Sequence, residues 1–164
     1  MRRKDREITD MRQILSIISK AKVLRLGLFD EEYSYIVPLH YGYDFFENRL
    51  VFYMHSAKEG HKLALIADNP HVCVELDGDA ELISGGEIPC MYGSSFASVI
   101  GRGVAEIVTD EQEKTKGLSL LMKHQTGRDF AFTGEMAATV AVIRVTLNKF
   151  TAKARATETH SDLF

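Results

Sequence analysis

A stretch of alternating residues, 35–43, and an apolar run, 50–54, stand on either side of a polar turn at 44–49. Such a pair reads as an antiparallel hairpin, and a hairpin so early in a chain favours sheet built from sequence neighbours. In the first stretch, Tyr35, Val37, Leu39, Tyr41 and Tyr43 share one face, and Pro38, His40 and Gly42 share the other. One face is suited to packing. The other is sparse, with room for something flat. Pro38 has no N–H to give a ladder, so it is expected at an edge or a bulge.

The rest of the chain extends the pattern. Residues 8–21 carry Met11, Ile14, Leu15 and Ile18 at helical spacing, with Thr9 or Asp10 as cap. Strands are expected at 23–29, 71–79, 96–108 and 139–147, with a short one at 81–83 and a last one at 149–155. Asp30, Glu31 and Glu32 form a turn. Gly101 and Gly103 inside a strand suggest a bulge or a close backbone approach. A second helix is expected from 57 to about 67, ended by Asn69 and Pro70. A third follows Thr109, with Gln112 three residues on as a capping box, and stops near Gly127. Residues 128–138 read as loop. Strands joined by hairpin-like turns, with helices at chain ends and crossovers, predict a mainly β fold: a six- to seven-stranded antiparallel barrel with flanking helices. With 164 residues, a single domain over 1–155 with a loose tail at 156–164 is expected.

Charge and composition narrow the function. A net charge of −3 and pI near 6.1 argue against a general nucleic-acid binder. The basic start (Arg2, Arg3, Lys4, Arg6) is interleaved with Asp5 and Glu7 and reads as a solvated arm. No apolar run approaches ~18 residues, so no membrane span is expected, and a reducing cytoplasm is the default location. Cys73, between Val72 and Val74, reads as a small core residue, and Cys90 as a loop thiol; two cysteines make neither a disulfide framework nor a zinc pattern. His71, His124 and His160 are scattered, and no metal site is expected.

The chemistry concentrates at the junction HSAKEGHK, 55–62. A strand ends here and a helix begins. Ser56 and Glu59 have the spacing of a capping box, which puts exposed helix N–H groups at 57–59. Lys58, His61 and Lys62 lie in the first two turns, where cations oppose the helix dipole. Two readings fit: a seat for a phosphate, which would reverse that penalty, or solvated charges on an ordinary cap.

Taken in order, MRRKDREI (1–8), LRLGL (24–28), YIVPL (35–39), HSAKEGHK (55–62) and SVIGRG (98–103) resemble the FMN-binding split-barrel proteins related to pyridoxamine 5′-phosphate oxidase, and most nearly the nitroimidazole-resistance (Nim-type) branch. The resemblance spans roughly residues 1–150. It implies a homodimer with FMN at the subunit interface. It also implies that Ser56, His61 and Lys62 hold the phosphate, and that Val37, Pro38, Leu39 and His40 lie along the isoalloxazine ring. Ser98 stands where the family places a polar residue near the flavin. His55 is the implied flavin-side histidine, with His40 as the alternate. His61 stands where an Arg is more usual, which would make phosphate affinity depend on pH. The chain has no tryptophan and lacks the C-terminal Arg-containing motif that grips substrate in the true oxidases, so oxidation of pyridoxamine phosphate is not expected. The implied activity is passage of electrons from NAD(P)H through FMN to a small acceptor such as a nitroaromatic or a quinone. No G-x-G-x-x-G follows a strand, so the nicotinamide would bind transiently. The alternative is a flavin- or haem-binding protein on the same barrel without turnover.

Overall fold

The computed structural model describes residues 4–78 and 80–155. Arg2, Arg3, His160 and the tail expected from 156 lie outside them. After a 3-10 turn at Lys4–Arg6 come β1 (Glu7–Ile8), α1 (Met11–Lys20), β2 (Val23–Asp30), β3 (Tyr33–Phe46) and β4 (Arg49–Ser56). Then follow α2 (His61–Asp68), β5 (His71–Gly78), the short strands β6 (Leu82–Ile83) and β7 (Gly93–Ser94), β8 (Phe96–Ile107), α3 (Glu111–Thr126), α4 (Gly134–Ala138) and β9 (Ala141–Arg155).

All ladders are antiparallel. The main sheet runs β1-β9-β4-β3-β2-β5-β8, and β8 pairs back onto β9, closing a ring of six strands. This is the expected mainly β barrel. Period-2 alternation fills it: Leu24, Leu26, Phe52, Met54, Val74, Leu76, Val99, Ile143 and Val145 all point inward and are fully buried. Ile14, Ile17 and Ile18 of α1, and Leu63 and Ile66 of α2, join the same core. Asp10 rather than Thr9 caps α1, its Oδ1 accepting from the Arg12 N–H at 2.8 Å.

The expected close approach at the two glycines is real. The β8–β9 register slips between Arg102 and Gly103. A Cβ on Gly103 would stand 2.1 Å from the Thr146 carbonyl oxygen. One continuous strand, β9, replaces the two expected at 139–147 and 149–155, because the bulge absorbs the irregularity without ending the ladder.

Other boundaries moved for local reasons. α3 is capped by Asp110, whose carboxylate accepts from Glu113 N–H at 2.8 Å, so the box at Thr109 and Gln112 does not form. The loop expected at 128–138 contains α4, started by Thr133, whose hydroxyl accepts from Met136 N–H.

α3 lies outside the barrel over the second half of β3 and over β4. Gly42 makes this possible, since a Cβ there would sit 2.2 Å from the Leu121 nitrogen; Gly117 does the same against the Tyr53 ring, at 2.7 Å. Beneath α3, Tyr53 donates to Glu113 at 3.1 Å, and Arg144 bridges Glu113 and Glu106 at 2.7 and 2.6 Å. Burial, reinforced by the Glu113 charge, pushes the Tyr53 phenol up to about 12. Among the described residues, the outer face of β2, β5, β8 and the first half of β3 has no such cover. Phe29 and Ile36 are each 61% exposed there, and Ile100 50%.

Candidate functional site

The site grows from a fork in the sheet. Residues 33–40 of β3 pair with β2, ending at His40 opposite Val23. Residues 41–46 pair with β4, starting at Tyr41 opposite Met54. β3 therefore changes partner between His40 and Tyr41, and its first half keeps one edge without a strand neighbour. Pro38 lies on that half, opposite Arg25, so its missing N–H costs no ladder bond on the open side.

β4 continues past the fork as His55 and Ser56, paired only with β9 at Val142 and Ala141. His40 and His55 thus flank the split, and both are exposed. Ser56 is buried, and its hydroxyl donates to the Ala57 carbonyl at 2.8 Å. It caps no helix. The box expected from Ser56 and Glu59 is absent, because Gly60 starts α2 instead, at φ 144° and ψ 160°. That backbone is closed to residues with a Cβ, so the glycine and not the serine decides where the helix begins. The helix N–H groups free of a helical carbonyl are accordingly those of His61 and Lys62, not those of 57–59.

His61 reaches across to the β2–β3 hairpin. Its Nε2 lies 2.8 Å from Asp30 Oδ2, and its ring meets Tyr35 edge-on at 5.0 Å. A carboxylate accepts, so Nε2 carries a proton and Nδ1 is the atom left for a ligand. Since Ser56 is at the fork and His61 is beside Tyr35, loop 57–60 covers the same interval as residues 36–39 of the open edge. Nothing lies within 4 Å of the Cβ position of Gly60. Lys62 is half-buried and has no hydrogen bond or ion pair among the described residues.

The remaining expected residues divide between the two faces. Val37 is buried opposite Leu26, Leu39 half-buried opposite Leu24, and Pro38 and His40 exposed on the outer side. Ser98 is not brought to the fork. It sits on β8 between Asp77 and Lys153, three strand spacings from β3, or about 14 Å. Cys73 is exposed, contrary to its expected place in the core. Alternation puts it on the face opposite Val72 and Val74, beside Arg102. There it lines an open cavity of about 740 Å³ on the outer face, floored by Gly27 and walled by Phe29, Ile36 and Arg102.

Two contributors carried little signal in sequence. Asp30 was only a turn residue, and nothing local ties it to His61. Gly60 precedes basic residues, which is not the Ser, Thr, Asp or Asn cap with acidic first turn that marks a helix start. No group of three or more His, Cys, Asp or Glu side chains converges as a metal site among the described residues.

A closed antiparallel ring in which β3 leaves one edge open beside a glycine-started helix defines a split barrel. A family model for pyridoxamine 5′-phosphate oxidase matches residues 10–154, and the chain belongs to that family. Among solved structures, it is similar to a candidate 5-nitroimidazole antibiotic resistance protein from Bacteroides thetaiotaomicron, at 30% identity over 90% of this chain and 86% of that one, with a TM-score of 0.77. The flavocytochrome Anf3 of Azotobacter vinelandii matches at 17% identity, covering 96% and 72%, with a TM-score of 0.75. The FAD and heme binding protein of Mycobacterium smegmatis matches at 13%, covering 93% and 74%, with a TM-score of 0.76. At such identities the last two speak for the fold. No curated protein matches the chain. Among the described residues no helix is long and apolar enough to cross a membrane.

Proposed function

We propose that this protein binds FMN at the fork and acts, as a homodimer, as an oxidoreductase that passes electrons from a reduced nicotinamide to a small acceptor such as a nitroaromatic. The observation that carries the reading is Lys62: a half-buried cation with no partner among the described residues, one position into a helix whose first N–H groups are free. A phosphate monoester supplies the countercharge that this corner lacks. Lys62 and the N–H groups of His61 and Lys62 hold the phosphate, and Ser56 borders it. His61 adds Nδ1 while Asp30 keeps its ring in place. The open edge at Val37, Pro38 and Leu39 offers backbone groups to the rim of a flat heterocycle, with His40 and His55 at its far end. When bound, flavin supplies the redox chemistry, and the chain supplies binding, orientation and exclusion of water.

The uncovered face supports the dimer. Phe29, Ile36 and Ile100 form apolar surface that a second copy would bury, and a copy seated there could bring its own Ser98 toward the first copy's fork. The test is anaerobic. NADH or NADPH added to FMN-loaded protein should bleach the flavin band, and a nitroaromatic should restore it. Flavin that stays oxidised under both donors would leave the non-catalytic flavin- or haem-binding reading in its place.

A further inference from the structure

The fork is tied from behind by hydrogen bonds that join three elements. His40 Nδ1 lies 3.1 Å from the Lys22 carbonyl oxygen. A carbonyl only accepts, so Nδ1 carries the proton, and a neutral ring then leaves Nε2 bare. The same carbonyl accepts from Gln125 Nε2 at 3.1 Å, and this amide also donates to the Tyr41 carbonyl at 3.0 Å. Gln125 therefore links the residue before β2 to the first residue beyond the fork. Its neighbours hold it there. His124 Nε2 donates to the Ala21 carbonyl at 2.8 Å, and Lys22 Nζ donates to the His124 carbonyl at 2.6 Å. The His124 ring lies over Tyr41 at 4.6 Å, and Tyr41 is fully buried with its hydroxyl between the Ile18 and Ala21 carbonyls. His40 is exposed on the sparse side of β3, and its Nε2 has no partner among the described residues.

We infer that Gln125 is a positioning residue: through the shared Lys22 carbonyl it holds His40 in the Nδ1–H form, so that Nε2 meets the ligand as a hydrogen-bond acceptor. The group it recognises is an N–H or O–H at the rim of the heterocycle seated along β3, which makes the inference rest on the flavin reading. A surface histidine without this tie samples both neutral forms, and part of its population would present the wrong edge. The last turn of α3, remote in sequence from the fork, thereby reaches the ligand without touching it.

Histidine-selective 15N labelling of the full chain tests this, with His40→Asn used to assign the resonances. The free protein should show His40 protonated at Nδ1 and bare at Nε2. Adding FMN should shift Nε2 and leave Nδ1 in place. Gln125→Ala should give a mixture of the two forms. His40→Asn keeps a donor for Lys22 but loses the outer acceptor, and should weaken FMN binding about tenfold, whereas His40→Gln, which restores a polar group farther out, should recover part of it. FMN bound with Nε2 unmoved, or folded Gln125→Ala with the Nδ1–H form intact, would overturn the positioning role and leave the flavoprotein reading standing. A protein that takes up no FMN at all would overturn both.

Discussion

Replacing Gly60 with alanine separates backbone strain from steric conflict. A Cβ at this position meets nothing within 4 Å, so the methyl group itself is tolerated. The cost lies in the backbone, at φ 144° and ψ 160°, a region essentially reserved for glycine and worth about 1–3 kcal/mol to any other residue. For a chain of this size that corresponds to a loss of roughly 2–12 °C in Tm. Relief would come from rotating the Gly60 peptide, which moves the His61 and Lys62 N–H groups and loosens the Asp30–His61 contact. FMN affinity should therefore fall along with stability. Gly86→Ala is the control: φ is 63° and its Cβ position is equally open, but it lies in the loop between β6 and β7. It should cost about 1 kcal/mol without altering FMN affinity. Thermal melts and FMN titrations on the two variants provide the assay. Should Gly60→Ala melt within a degree or so of the parent and bind FMN equally well, the argument that this glycine sets the helix start and the phosphate seat is wrong.

Lys62→Ala should lower FMN affinity about 10- to 100-fold, the range of a charge-assisted hydrogen bond, with Lys62→Arg keeping most of it, as read by fluorescence quenching of added FMN. Gly103→Ala forces a Cβ to 2.1 Å from the Thr146 carbonyl oxygen, backbone that has no room to yield, and should cost about 3 kcal/mol in urea denaturation or block folding. Burial depresses His124 below the usual histidine value, and the Lys22 charge adds to this against the opposing Ala21 hydrogen bond. The unfolded chain therefore takes up the proton first. Stability should fall as pH drops below about 6.5, levelling off once the depressed folded value is passed, and His124→Asn should flatten that slope in a series of melts across pH.

Much of the barrel was legible because its signal is local. The alternation from Tyr35 to Tyr43 gave the right inward face, and Pro38 announced an edge that the fork supplies. The glycines at 101 and 103 announced the bulge. What failed needed tertiary knowledge. Ser56-x-x-Glu59 reads as a helix start; the strand claims Ser56 through its pairing to Ala141, leaving Gly60 to begin the helix. Cys73 was placed with its valine neighbours, although period-2 geometry sends it to the opposite face, and only the uncovered outer sheet makes that face solvent. Of the site, the 55–62 junction stood out as charge at a helix start. The Asp30–His61 contact and the tie from Gln125 to His40 span 31 residues and, through Lys22, about a hundred, and leave no periodic trace.

The central claim is that the corner between Ser56 and Lys62 holds the phosphate of a flavin. Isothermal titration of the protein, stripped of any bound cofactor, with FMN and in parallel with riboflavin isolates that contact, because the two ligands differ only in the phosphate. The account predicts saturable FMN binding, at least 10-fold tighter than riboflavin by the worth of one charge-assisted contact, with the difference erased in Lys62→Ala. Equal affinity for the two ligands, or no binding of either, would contradict it.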